Sequence, residues 1–434
     1  MERFKIEALK EWKISPQRKP LILYGARQVG KTWLLKEFGR TCYKKVAYFS
    51  FYNNPRLCSV FEGGLNIDRI VTSLSIEADL EITAEDTLII FDEIQNCLNV
   101  LHALKYFNED ANQYHIIAAG SLLGVALHED VSYPVGKVDT MTLYPMNFCE
   151  FLCAIGKNRM SQLIRSGDLL TASVFSDELI FHLKNYMYVG GMPEAVKYFA
   201  EHKNYKDIRN IQNEIIHQYA GDFGKHIPSK DIPRVHMVWN GIPMQLAKEN
   251  KKFFFGKIKK GARSSEFETA IQWLTDAGLI YKVNKVSVPH LPLKAYIDLA
   301  AYKLFMLDVG LLGALSDLDA KEILEDNAIF SEFKGALAEQ FVQQELRATG
   351  DEPATWMPSN STAEIDFLIQ GGDGVVPVEV KAERNLKAKS LAVYRAAHSP
   401  ALSIRTSLAP HLFSGGLLDL PLPAIGAWRR YAAP

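Results

Sequence analysis

Residues 25–32 read Gly-Ala-Arg-Gln-Val-Gly-Lys-Thr, directly after the short apolar run Leu21-Ile-Leu-Tyr24. Glycines at both ends of such a loop let several backbone N–H groups turn inward around an anion. Gly25, Ala26, Arg27, Gln28, Val29 and Gly30 would form the cradle, with Lys31 reaching β- and γ-phosphate oxygens and Thr32 offering its hydroxyl to Mg2+. A helix starting behind the loop, through Trp33, Leu34, Leu35 and Phe38, adds the positive end of its dipole. The chemistry is capture of a nucleoside triphosphate.

Further along, Thr87-Leu-Ile-Ile-Phe-Asp-Glu93 is an apolar strand ending in paired carboxylates. Asp92 is suited to hold Mg2+ through water, and Glu93 to polarise the water that attacks the γ-phosphate. The run His115-Ile-Ile-Ala-Ala119 ends in Gly120-Ser121, where a polar side chain can sense the γ-phosphate, making Ser121 a candidate. Lys137, in Pro134-Val-Gly-Lys137, is either a cation for its own or a neighbouring subunit's site, or a solvated surface residue.

A second set of reactive residues lies near the C-terminus. Ala363-Glu-Ile-Asp-Phe-Leu-Ile369 and Val376-Pro-Val-Glu-Val-Lys381 both alternate. Period two puts Glu364 with Asp366 on one face of the first strand and Glu379 with Lys381 on one face of the second. Pairing of the strands would gather Asp366, Glu379 and Lys381, and Glu339 precedes them on a helix within Gly335–Leu346. Asp366, Glu379 and Glu339 could share a second divalent cation while Lys381 stabilises charge at a phosphodiester. The bland alternative is a salt-bridged, solvent-facing strand pair.

The elements that must position these residues follow from the hydrophobic pattern. Through about residue 145, apolar runs at 21–24, 46–49, 87–91 and 115–119 alternate with helical segments. That predicts an α/β fold with a parallel sheet covered on both faces. The expected domains are a nucleotide-binding core at 1–145, a helical lid or connector at 146–225, a winged-helix-like unit at 226–318 and a small α/β unit at 319–434. The winged-helix expectation rests on a helix with Phe267, Ile271, Trp273 and Leu274, ended by Gly278 and followed by the strand Leu279–Val283. Lys251, Lys252, Lys257, Lys259, Lys260 and Arg263 precede it, either as a nucleic-acid contact or as a solvated charged face.

The whole chain of 434 residues is 48% apolar and carries a net charge of −1, so any polyanion surface must be local. The N-terminus lacks the apolar core of a signal peptide, and no run approaches the ~20 apolar residues that span a bilayer. A cytoplasmic protein without membrane attachment is the expectation. The five cysteines, Cys42, Cys58, Cys97, Cys149 and Cys153, read as buried thiols rather than zinc ligands.

The first third of the chain resembles a large family of prokaryotic AAA-type ATPases with a conserved C-terminal region. Besides the phosphate loop, Tyr144-Pro-Met-Asn-Phe-Cys-Glu-Phe-Leu152 is similar to that family's segment after the last core strand. Gly190-Gly-Met-Pro-Glu194 is similar to its glycine–proline turn. The family often has an arginine where this chain has Lys137, and lysine lacks the guanidinium fork of an arginine finger. The resemblance implies ATP as the nucleotide and DNA as a partner, with a protein partner and self-assembly left open. The C-terminal pattern resembles the PD-(D/E)xK nuclease fold, with Asp366, Glu379 and Lys381 on its signature and Glu339 on its helical acid. That likeness implies a nuclease-like domain, acting either by cleavage or as a binding platform.

Overall fold

The computed structural model describes residues 2–432 except 122, 127–133, 248–252, 254, 259, 260, 262, 325–330, 359–362, 373 and 385. Its two compact units are Arg3–Tyr144 with Asp276–Gly278, and Met1–Glu2 with Pro145–Thr275 and Leu279–Pro434. Among the described residues no helix is long and apolar enough to cross a membrane. All five cysteines are free thiols.

In the first unit, strands β1 (Leu21–Tyr24), β2 (Lys45–Ser50), β3 (Thr87–Asp92), β4 (His115–Ala119) and β5 (Asp139–Thr142) form one sheet in the order β2-β3-β4-β1-β5. Every pairing is parallel. This is the P-loop NTPase fold that the alternating pattern predicts. Every residue of β3 and β4 is buried, as central strands covered on both faces must be. Phe49, Phe51, Phe61 and Phe91 pack at centroid separations of 5.6–6.0 Å beneath the end of β3 that carries Asp92. Strand β5 escapes the hydrophobic pattern because it is an edge strand whose residues Asp139-Thr-Met-Thr142 are at most half-buried.

The second unit begins with helices, including Phe148–Ala154, Ser176–Val189, Pro193–His202, Tyr205–His226 and Ile232–Leu246. Asn147 and Glu150 start the first with a reciprocal capping box. The glycine–proline turn is pinned next to it. Gly191 donates to Asp308 Oδ2 at 2.6 Å, and Met146 N–H donates to Gly191 O at 2.7 Å. A Cβ on Gly190 would lie 2.1 Å from an Asp308 carboxylate oxygen, so only glycine fits there.

An eight-stranded mixed sheet follows, built from β6 (Ile280–Val286), β7 (Ile297–Met306), β8 (Ala354–Trp356), β9 (Ile365–Gly371), β10 (Gly374–Val380), β11 (Ser403–Ser407), β12 (Leu412–Ser414) and β13 (Leu417–Pro421). Its order is β12-β13-β11-β10-β9-β8-β6-β7. The β6–β7 hairpin expected as a wing therefore shares a sheet with the strands after residue 350. Parallel pairing of β6 with β8 makes that junction. Of the basic segment, Lys251, Lys252, Lys259 and Lys260 lie outside the described residues; Arg263 is exposed.

The helix Ser331–Ala348 buries Glu339, Gln340, Gln343, Gln344 and Glu345, a polar stripe where an apolar one is the norm. Gln340 exchanges hydrogen bonds of 2.9 and 2.7 Å with the N–H and C=O of Met306, and Gln344 accepts from Val309 N–H at 2.9 Å. Glu345 accepts Phe148 N–H at 2.8 Å. Burial pushes the Glu345 carboxyl up to about 8, against the help of that N–H, and pushes Asp308 up to about 6.

A raised folded-state pKa gives Glu345 a contribution that is complete below its ordinary value of 4.5 and lost as pH rises through about 8. Thermal melts across that window should show the parent losing stability as pH rises. Glu345→Gln should flatten the loss and melt roughly 3–6 °C above the parent at the alkaline end. Parallel curves for the two proteins would remove Glu345 as the source.

Candidate functional site

The phosphate loop leaves β1 at Gly25 and enters the helix Lys31–Cys42 through Gly30. Gly25 has φ +147, and a Cβ there would stand 2.4 Å from the backbone oxygen of Leu143. Gly30 (φ +93) and Gln28 (φ 64) also have positive φ, the kind of backbone from which anion-binding nests of successive N–H groups are built. The loop is braced from behind by Arg3, whose guanidinium donates to Val29 O at 2.7 Å and to Tyr144 O at 2.6 Å. Ala26 and Val29 are buried, and Arg27 lowers the pKa of Lys31 from within the same loop.

Lys31 is buried and donates to Gly25 O and Ala26 O, both at 2.7 Å. Its ammonium thus satisfies itself on the loop it would leave to meet a phosphate. Burial lowers its pKa to about 8, opposed by Glu93 and Asp92. An arriving polyanion restores what burial removes.

Behind the loop, Thr32 Oγ1 donates to Asp92 Oδ2 at 2.7 Å, so the hydroxyl and carboxylate expected to flank Mg2+ already touch. This hard oxygen pair beside a phosphate cradle fits Mg2+. Tyr48 donates to the same Asp92 oxygen at 2.9 Å, and Glu93 N–H to the other at 3.0 Å. Burial, then the adjacent Asp92, push the Tyr48 phenol up, which keeps it a donor.

Glu93 sits at φ 56, a left-handed conformation that is strained for glutamate, directly after β3. Ser121 Oγ donates to Glu93 Oε2 at 3.1 Å, and Gln95 Nε2 donates to the same oxygen. Asp92, Glu93 and Ser121 are thus brought together by these contacts. Lys137 pairs with Glu109 at 2.8 Å on the surface and meets none of these residues in the described contacts. Arg3, Tyr48 and Gln95 carried no signal: Arg3 reaches the loop from ahead of the first helix, Tyr48 through the pairing of β2 with β3, and Gln95 through the turn at Glu93.

The C-terminal residues also gather, in an unexpected arrangement. Asp366 Oδ2 accepts Val380 N–H at 2.8 Å, and Lys381 donates to Glu379 Oε1 at 2.8 Å. Glu339 is held at 3.4 Å by Lys303, which also pairs with Glu364. Burial raises the Glu379 pKa, Lys381 lowers it, and Glu339 and Glu364 raise it further. Among the described residues no three His, Cys, Asp or Glu side chains form a group that could hold a metal ion. The second divalent cation expected on Asp366, Glu379 and Glu339 does not fit this arrangement, because an ammonium already engages Glu339.

Residues 17–152 match the family model described as an AAA domain. Residues 180–322 match a domain of unknown function (DUF8612), and residues 334–424 another (DUF4143). No curated protein matches the chain. Among solved structures, a Walker-type ATPase of Pyrococcus abyssi is 14% identical at TM-score 0.45, covering 72% of this chain and 94% of that one. The Orc1 protein of Aeropyrum pernix in complex with DNA is 13% identical at TM-score 0.28, covering 73% of this chain and 93% of that one. Cdc6p of Pyrobaculum aerophilum is 12% identical at TM-score 0.25, covering 74% and 94%. The nucleotide loop, the paired carboxylates and the matched model together make the N-terminal unit an AAA-type P-loop domain.

The close approach of Gly25 to Leu143 O gives a stability test of the loop. Gly25→Ala should cost about 2–4 kcal/mol, since the new methyl must displace backbone at a disfavoured φ. An unchanged urea midpoint would show that the loop can yield.

Proposed function

We propose that this protein is an Mg2+-dependent ATPase whose nucleotide state controls its second unit. The observation that carries the reading is the joined constellation of Lys31, Thr32, Asp92 and Glu93 around one glycine-built cradle. Lys31 would exchange the carbonyls of Gly25 and Ala26 for β- and γ-phosphate oxygens. Thr32 and Asp92 would hold Mg2+, which neutralises charge on those oxygens when bound. Glu93 would take the proton of the attacking water, released from Ser121 and Gln95 when the γ-phosphate arrives. The AAA match supports ATP as the nucleotide.

ATP turnover by the full chain tests this directly. Lys31→Ala should abolish binding and turnover, and Glu93→Gln should lower turnover roughly 10²-fold or more while nucleotide still binds. Gln95→Ala should change turnover with little change in affinity. Parental rates in Lys31→Ala and Glu93→Gln would end the assignment.

For the second unit, the reading with a specific observation behind it is a nucleotide-gated binding module for DNA or a protein, without metal-dependent cleavage. Lys303 against Glu339 and Glu364 favours it over a nuclease. Incubation with DNA and Mg2+ or Mn2+ should give no cleavage beyond that of Lys381→Ala. Cleavage by the parent that Lys381→Ala loses would restore the nuclease reading.

A further inference from the structure

One charged group in the second unit belongs to no signature. Lys303, on β7, is 3% exposed. Burying an ammonium costs several kcal/mol unless carboxylates surround it, and here they do. Its Nζ lies 3.4 Å from Glu339 Oε2 and pairs with Glu364 Oε1. Burial pulls the Lys303 pKa down, but Glu339, Glu364 and Asp366 together raise it above the ordinary lysine value, so the group stays charged.

The neighbouring charges are buried or half-buried with it. Glu379 is 5% exposed and bound through Oε1 to Lys381, while its Oε2 is buried with no hydrogen-bond partner. Lys381 feels Asp366 and Glu339 as well as Glu379. Carboxylates from the helix Ser331–Ala348 (Glu339), the approach to β9 (Glu364), β9 itself (Asp366) and β10 (Glu379) thus lie in the field of the Lys303 and Lys381 ammonium groups. One of these comes from the β10 end and the other from the far hairpin. A divalent cation on Glu339 would have to share that carboxylate with a buried ammonium, a like-charge contact that low-dielectric surroundings make severe.

We propose that Lys303 is a built-in cation standing where a divalent metal would otherwise bridge the carboxylate cluster, so that the second unit keeps this site without metal. The proposal deepens the binding-module reading and is independent of the nucleotide site. Lysine suits the role. Its compact charge on a flexible stem satisfies two carboxylates without the coordination geometry that a metal demands. Removing it would take a buried counter-charge away from Glu339 and Glu364, within electrostatic reach of the orphaned Glu379 Oε2, which is a cation site in the making.

Titration of the nucleotide-free full chain with Mn2+, followed by the loss of its free-ion paramagnetic resonance signal, tests the idea. The parent and Glu379→Gln should bind Mn2+ identically. Lys303→Met should gain one site, roughly tenfold tighter or more than any the parent has, and Lys303→Met with Glu379→Gln should lose it. Lys303→Arg, which keeps the charge, should behave as the parent. A parental Mn2+ site that disappears in Glu379→Gln would overturn the proposal, and that comparison stands even if Lys303→Met does not fold. A folded Lys303→Met with no new site would overturn it equally. Because no nucleotide is present, neither outcome bears on whether the first unit hydrolyses ATP.

Discussion

A carboxylate taken out of water must be given donors or a counter-charge, and this requirement organises both units. Asp92 is 2% exposed, and its two oxygens receive Thr32, Tyr48 and the N–H of Glu93. Those three donors come from the helix behind the loop, the neighbouring strand and the next residue. Satisfying one side chain therefore fixes the relation of loop, sheet and turn. Asp308 does the same in the second unit, drawing in Gly191, Leu311 and Gln344.

The helix Ser331–Ala348 extends that logic over a whole face. Gln340 and Gln344 replace backbone partners at the end of β7, and Glu345 takes the free N–H of Phe148. A buried stripe of glutamine and glutamate packs in few ways, since a shifted register would strip Gln340, Gln344 and Glu345 of these partners. It trades raw stability for a unique arrangement, and that arrangement carries Glu339 to Lys303.

The two candidate sites differed in how far local sequence could reveal them. In the first, Gly25 to Thr32 is one contiguous stretch whose glycines, lysine and threonine act through their own backbone. Asp92 and Glu93 end a strand that hydrophobicity alone identifies. What could not be read was the pairing of β2 with β3, which aligns Ser50 with Asp92 and thereby brings Tyr48 to the same carboxylate. Nor could the left-handed turn at Glu93 be read, although it returns Gln95 to Glu93. In the second site, the alternation at 363–369 and 376–381 placed Asp366, Glu379 and Lys381 on adjacent strands. Lys303 lies some sixty residues upstream, on a strand that reads as an ordinary hairpin partner.

By itself, then, the sequence determined the phosphate cradle, the acidic strand end and the period-two faces, because each is written in neighbouring residues. Tertiary structure decided the strand order, the joining of β6–β7 to the C-terminal strands, and the cation that the acidic cluster meets. Those depend on which distant segments share hydrogen bonds, and on which buried charge lies closest to another. Neither relation leaves a trace in residue type or spacing. A lysine at position 303 is unremarked in sequence and becomes the counter-ion of a site only once β7 lies beside Glu339 and Glu364.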